Sequence, residues 1–338
     1  MTTKLSRGKF ENLQKLADDE GTINILGLGE QTKFQAMMKT AEESAGHQFE
    51  VDQCIEFKQI LSEFLSPNVS GVLLDPTLGT KAMQSRSKDT GLITVYELSD
   101  QTPDHLSLNR LVHAKTNGVK VRVVYNPHTD EQTTDQKLAL LERVGAEALA
   151  ADLPLFVEPV VYDDQVSDKS SAEFAKLQPD LVIDTIKELT KERYHIDILQ
   201  IETPINFAYT EGFAESNATV VYSQREAAKL LKEASDTTTR PFIFQTGDNS
   251  VETFQTAVKF AGKAGAKFSG VMTDYSLVQD GITAYATEGE KGLHQWLETT
   301  GNKNLTDLND ILENYATPWY DRFGGQKDLE LFDNPIKL

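Results

Sequence analysis

Eight short, apolar, β-branched runs recur along the chain, each separated from the next by a stretch with helical spacing. This alternation constrains the fold more than any single residue does. The runs are Asn24–Gly29, Gly71–Asp75, Gly91–Glu97, Val119–Tyr125, Pro154–Tyr162, Ile196–Glu202, Pro241–Gly247 and Phe268–Asp274. Between them, the segment from Gln31 to about Phe64 reads as helical with a break near Gly46. Leu106, Leu108, Leu111 and Val112 mark a second helix, and Leu138, Leu141, Val144 and Ala148 a third. Two helices, around Ser171–Leu177 and Thr185–Tyr194, are expected next, then Gln224–Ser235 and Val251–Ala264. A polar helix precedes the series, and helices near Lys291 and Leu305 follow it. The pattern predicts an α/β (β/α)₈ TIM barrel with N-terminal and C-terminal helical extensions. An open, doubly wound sheet is the rival, because alternation alone does not prove closure. The 338 residues exceed the roughly 250 of a bare barrel, so one domain over residues 1–338 with terminal extensions is expected.

Within that frame the stretch Ile196-Asp-Ile-Leu-Gln200-Ile-Glu202-Thr-Pro204 stands out. Strand alternation puts Ile198, Gln200 and Glu202 on one face and Leu199 and Ile201 on the other. An amide and then a carboxylate at the end of a buried strand is what a barrel enzyme presents at its catalytic rim. The other strand ends add Asp75, Glu97, Lys120, Arg122 and Glu158. Charges there are costly to bury unless paired. Two readings stand side by side, a salt-bridge lattice closing the rim and a ligand site. The carboxylates would permit a divalent cation, but Lys120 and Arg122 beside them make internal neutralisation the expectation, with no metal and no cofactor.

Composition narrows the partners. A net charge of −19 opposes nucleic acid, whose phosphates need Lys and Arg, and disfavours anionic membranes. No apolar run approaches the ~18 residues of a membrane span. Cys54 is the only cysteine, so an intramolecular disulfide is impossible; with no apolar signal core after Met1, a cytoplasmic location is expected. Several motifs fail. Gly27-Leu-Gly29 begins like a dinucleotide fingerprint, but Thr32 stands where its third glycine belongs. There is no phosphate-binding P-loop, no His-x-x-x-His pair and no Gly-x-Ser-x-Gly elbow. His128, just past its strand, reads as a solvated loop residue.

The chain resembles the tagatose-1,6-bisphosphate aldolase family in Val72-Leu-Leu-Asp75-Pro, Gly118-Val-Lys120, Pro154-Leu-Phe-Val-Glu158, Ser171-Ala-Glu-Phe-Ala-Lys-Leu-Gln-Pro179, Gln200-Ile-Glu-Thr-Pro and Phe268-Ser-Gly-Val. The resemblance implies a class I aldolase barrel that splits a ketohexose bisphosphate without metal. It implies catalytic positions at Lys120 and Glu158, the latter in proton transfer. It also implies that Gln200 stands where the family carries its Schiff-base lysine, and Gly29 where it carries an aspartate. Thr246, Gly247 and Asp248 occupy a loop in which the family has Ser-Ala-Gly, and Asp274 and Tyr275 its Gly-Arg phosphate grip. Together with Asp75, Arg122 and Glu202 these form the expected ligand-binding set.

An amide nitrogen cannot form an imine, and losing a covalent nucleophile can cost on the order of 10⁶ in turnover. The resemblance therefore implies a paralogue without the bisphosphate reaction, a non-catalytic or metabolite-sensing protein. The alternative is a class I aldolase on a less phosphorylated substrate with Lys120 as the imine-forming residue. A small carbohydrate or carbonyl ligand, and a protein partner or homo-oligomer, are compatible with both. The expected pocket is cationic beside Lys120 and Arg122 and anionic beside Asp248 and Asp274, unless those aspartates are loop caps.

Overall fold

The computed structural model describes residues 3–96, 115–247 and 249–334. Glu97, the helix expected around Leu106–Val112, and Asp248 lie outside the described residues. β1 (Thr3–Ser6) and α1 (Arg7–Lys15) lead into β2 (Ile23–Leu28). The remaining strands of the barrel are β3 (Gly71–Leu74), β4 (Gly91–Val95), β5 (Gly118–Tyr125), β6 (Leu155–Val161), β7 (Ile198–Ile201), β8 (Phe242–Gln245) and β9 (Gly270–Thr273). They pair in parallel, in chain order, and β9 returns to β2 to close the barrel. The open-sheet alternative is thereby excluded. Strands read as continuous apolar runs because both faces are covered, one by the barrel interior and the other by helices. No helix among the described residues is long and apolar enough to cross a membrane.

Closure needs a close approach at one point. A Cβ on Gly27 would lie 2.0 Å from the Thr273 carbonyl oxygen, so β2 can meet β9 there only without a side chain. The barrel interior is filled from below by Ile23, Ile25, Ile93, Phe156, Ile198 and Ile243, all buried. Leu13 and Leu16, from the end of α1, and Trp319 pack beneath them. The polar, inward-facing positions that line the cavity lie toward the upper, C-terminal end.

The helices α2 (Thr32–Ser44) and α3 (Val51–Leu65) match the expected break near Gly46. A short α4 (Thr80–Ser85) follows β3, and α5 (Glu131–Ala150) follows β5. The two helices expected between residues 171 and 194 are one: α6 runs unbroken from Ala172 to Leu189 with Pro179 inside it, followed by a single turn at Glu192–Tyr194. A helical proline leaves the carbonyl four residues earlier without its N–H partner. Here that carbonyl, of Ala175, accepts instead from the Tyr222 hydroxyl, so the helix tolerates the proline. α7 (Gln224–Thr237), α8 (Val251–Lys263), α9 (Gln279–Trp296) and α10 (Asn302–Tyr315) complete the outer layer.

The extensions are not helical alone. β1 pairs in parallel with β10 (Leu329–Phe332) in a separate two-stranded sheet, with Thr3 opposite Leu329. Lys9 of α1 donates to Asp197 at 2.7 Å, and the same carboxylate accepts from the Leu155 N–H at 2.8 Å. That buried contact ties the N-terminal segment to the lower end of the barrel.

Candidate functional site

At the C-terminal ends of the strands the barrel opens into a cavity of about 770 Å³. Its charged wall comes from β5, β6 and β7. Alternation along β5 turns both Lys120 and Arg122 inward. The Lys120 ammonium contacts the Glu158 carboxylate of β6. Arg122 reaches Glu30 at 3.0 Å and Glu158 at 3.8 Å. Beyond β7, Glu202 meets Lys169 at 3.6 Å. Burial pushes the Glu202 carboxyl up from its ordinary value; the Glu158 charge adds to this, while Lys169 opposes both.

The floor is neutral. Gln200, 4% exposed, donates from Nε2 to Oε1 of Gln245 on β8 at 3.0 Å. Its own Oε1 is buried and accepts no hydrogen bond. The opposite wall holds Gly247, Asp274, Tyr275 and Ser276. Asp274 lines the cavity, yet its carboxylate also accepts from the Ser276 N–H at 2.8 Å, capping the turn Tyr275–Val278. The Tyr275 hydroxyl donates to the Leu28 carbonyl at 2.8 Å, and its ring stacks on Phe34 with centroids 4.2 Å apart. Burial raises that phenol well above its ordinary value.

The structure therefore brings Lys120, Arg122, Glu158, Gln200, Glu202, Gly247, Asp274 and Tyr275 to one cavity. Asp75 and Thr246 are placed elsewhere. Asp75 is fully buried against Lys58 and accepts from the N–H groups of Thr77 and Leu78 at 3.0 and 2.7 Å. β3 ends at Leu74, so the chain has already turned and Asp75 no longer follows the inward alternation. The Thr246 hydroxyl accepts from the Asp274 N–H at 3.0 Å and holds the two loops together. His128 pairs with Asp184 at 3.0 Å, away from the cavity lining.

Sequence reading passed over Glu30, Lys33, Lys169 and Gln245, all of which line the cavity. Gln245 was within reach, since alternation puts it on the same face as Gly247. Lys33 and Lys169 come from a helix and a loop with no local signal. The charge pattern also differs from the expected polarity. Among the described lining residues, the cations Lys33, Lys120, Arg122 and Lys169 face the anions Glu30, Glu158, Glu202 and Asp274. Glu158 and Glu30 neutralise the side that was expected to be cationic. Among the described residues no group of three His, Cys, Asp or Glu side chains is placed to share a metal ion.

Comparison with known proteins places this geometry in context. The model of the DeoC/LacD family aldolases matches residues 31–277. The chain is similar to the tagatose 1,6-diphosphate aldolase of Listeria innocua, with 37% identity over 340 residues, covering 98% of this chain and 99% of the relative. It is also similar to tagatose 1,6-diphosphate aldolase 2 of Streptococcus mutans, at 37% identity over 94% of this chain and 98% of that one. Among solved structures, fructose-bisphosphate aldolase from Plasmodium falciparum superposes with a TM-score of 0.63 at 14% identity, covering 96% of this chain and 98% of that one. An archaeal fructose 1,6-bisphosphate aldolase gives 0.52 at 15% identity, covering 87% and 99%. At such identities these two likenesses speak to the barrel alone.

Proposed function

The chain belongs to the DeoC/LacD family of aldolases, and from that premise we propose that it binds a sugar-type ligand in the barrel mouth but has given up imine-forming cleavage. The observation that carries this reading is Gln200. Its side chain lies at the cavity floor with its nitrogen committed to Gln245. By the resemblance, this is the position of the family's Schiff-base lysine. An amide nitrogen delocalises its lone pair into the carbonyl, so no imine can form there.

Two neighbouring positions support the same reading. Gly29 occupies the place of the family's aspartate, and a Cβ added to it would lie 2.5 Å from Val95 Cγ2 and 3.0 Å from Leu73 Cγ. Apolar side chains have closed over the space a carboxylate would need. At the family's phosphate grip, Tyr275 turns its ring into the core against Phe34, leaving Asp274 at the cavity. The protein is thus proposed to act as a cytoplasmic, metabolite-sensing or otherwise non-catalytic paralogue of the tagatose 1,6-diphosphate aldolases.

One observation favours a second reading. Lys120 is the amine in contact with Glu158, inside the cavity, where a carboxylate could move protons for an imine on a less phosphorylated sugar. One experiment separates the two. The protein is incubated with tagatose 1,6-bisphosphate, fructose 1,6-bisphosphate or the free ketoses, reduced with borohydride and mapped by mass spectrometry, with triose phosphate release followed in parallel. Neither adduct nor release is expected. A reduced adduct on Lys120 would establish the second reading and overturn the first.

A further inference from the structure

A buried acceptor without a donor is uncommon, because leaving it unmade forfeits the solvation of that atom. Gln200 Oε1 is such an atom. It belongs to a residue that lines the cavity, on β7, which is fully buried elsewhere along its length. The side chain's other end is fixed by the bond to Gln245. The protein's own cations near the floor are engaged: Lys120 contacts Glu158, and Arg122 spans Glu158 and Glu30. Among the described residues no group donates to Oε1.

From this we infer that the cavity selects the alcohol form of a sugar over its carbonyl form, with a ligand hydroxyl donating to Gln200 Oε1. The inference rests on the proposed loss of imine chemistry and adds the identity of the group facing position 200. A ketone oxygen carries only lone pairs and would face the Gln200 oxygen as acceptor against acceptor. A secondary hydroxyl in a reduced or ring-closed sugar supplies the missing O–H. An ammonium could also donate. The described lining cations and anions balance four against four, however, and a neutral donor leaves that balance intact. A lysine at this position would seek an electrophilic carbonyl, so the exchange to glutamine reverses the functional group that the floor accepts.

The probes are glycerol 3-phosphate and dihydroxyacetone phosphate, which differ at the central carbon in carrying a hydroxyl or a ketone. Their phosphate charge is the same, so the wider field of the cavity cancels in the comparison. Titration calorimetry should show the alcohol binding about tenfold tighter, the size of one satisfied buried hydrogen bond. Gln200→Leu, which removes the acceptor while keeping an apolar side chain in the strand, should abolish the difference. Gln200→Glu, which retains an acceptor there, should keep it, and circular dichroism of both variants checks their folding.

Equal affinities would overturn the inference, as would no binding of the alcohol. A preference for the ketone would mean that Gln200 turns its NH₂ group to the ligand, and would overturn it too. A preference that survives in Gln200→Leu would remove Gln200 from the explanation. Borohydride trapping of dihydroxyacetone phosphate on a lysine would instead defeat the proposed loss of catalysis, whichever ligand binds tighter. The two failures are thus read separately.

Discussion

Glu158 lies in register with Arg122 on the neighbouring strand, yet its closer ionic contact is diagonal, with Lys120 one pleat below. Arg122 meanwhile turns to Glu30 at 3.0 Å. One carboxylate therefore balances the inner cation, while the outer cation has a second anion of its own.

This asymmetry orders two substitutions. Glu158→Gln removes the contact that neutralises Lys120 and leaves two cations together in a partly desolvated wall, at about 1–3 kcal/mol. Lys120→Met leaves Glu158 with Arg122 and should cost less, about 1 kcal/mol or below. Urea denaturation of the two variants checks the order. A larger loss for Lys120→Met would show that Arg122 does not hold Glu158 at 3.8 Å in solution.

On the proposed reading, placing a lysine at position 200 should not by itself bring about imine cleavage. Gln200→Lys supplies an amine, but Asp274 still lines the opposite wall, and on the resemblance Gly29 stands where a carboxylate is needed. Triose phosphate release from tagatose 1,6-bisphosphate should remain at background. Adding Gly29→Asp should destabilise the fold by about 1–3 kcal/mol through overpacking against Val95 and Leu73. Thermal melts and a coupled release assay measure the two effects. Robust turnover by the single Gln200→Lys variant would refute the expectation.

The Glu202 carboxyl gives the cavity a pH dependence. Its folded value is raised above the ordinary carboxylate value, chiefly by burial, so in between the native state holds more protons than the unfolded state. Stability from this group is fully present below the ordinary value and is lost as pH rises through the raised one. Glu202→Gln should accordingly be more stable than the parent at neutral pH, with the difference shrinking on acidification. Melting temperatures across the acidic range test the sign. A variant less stable than the parent at neutral pH would mean that the Lys169 contact outweighs desolvation.

How far the sequence could be read depends on whether each signal was local. The barrel strands were legible because both of their faces are buried, and each run announces itself. Lys120, Arg122 and Glu158 were legible because alternation holds along β5 and β6. Asp75 was misplaced because its strand had ended one residue earlier, and a carboxylate past a strand end answers to the turn. Lys33 and Lys169 reach the cavity through tertiary packing alone. The helices expected around Ser171–Leu177 and Thr185–Tyr194 are one in α6, where the carbonyl that Pro179 leaves without a partner is satisfied by the Tyr222 hydroxyl from another part of the chain.

That distant partnership is itself testable. Tyr222→Phe leaves the Ala175 carbonyl without a donor and should lower stability by about 1–3 kcal/mol. In a Pro179→Ala background the alanine N–H can take the carbonyl, so the same hydroxyl deletion should cost markedly less. A double-mutant cycle in denaturant reads the coupling directly. Additive effects would disconnect the tyrosine from the proline.

The pairing of β1 with β10 bears on how the molecule is made. Thr3 cannot meet Leu329, nor Phe10 stack edge-on to Trp319 at 5.9 Å, until the segment that carries Trp319 and Leu329 has been synthesised. β1 therefore waits for a partner that follows every strand of the barrel. Contacts of such separation in sequence carry the largest loop-closure entropy and form late. Until that segment arrives, the base of the barrel lacks Trp319, which packs beneath it in the same cluster as Leu13 and Leu16. The last layer of the barrel's base is thus laid down by a segment that follows every barrel strand in the chain.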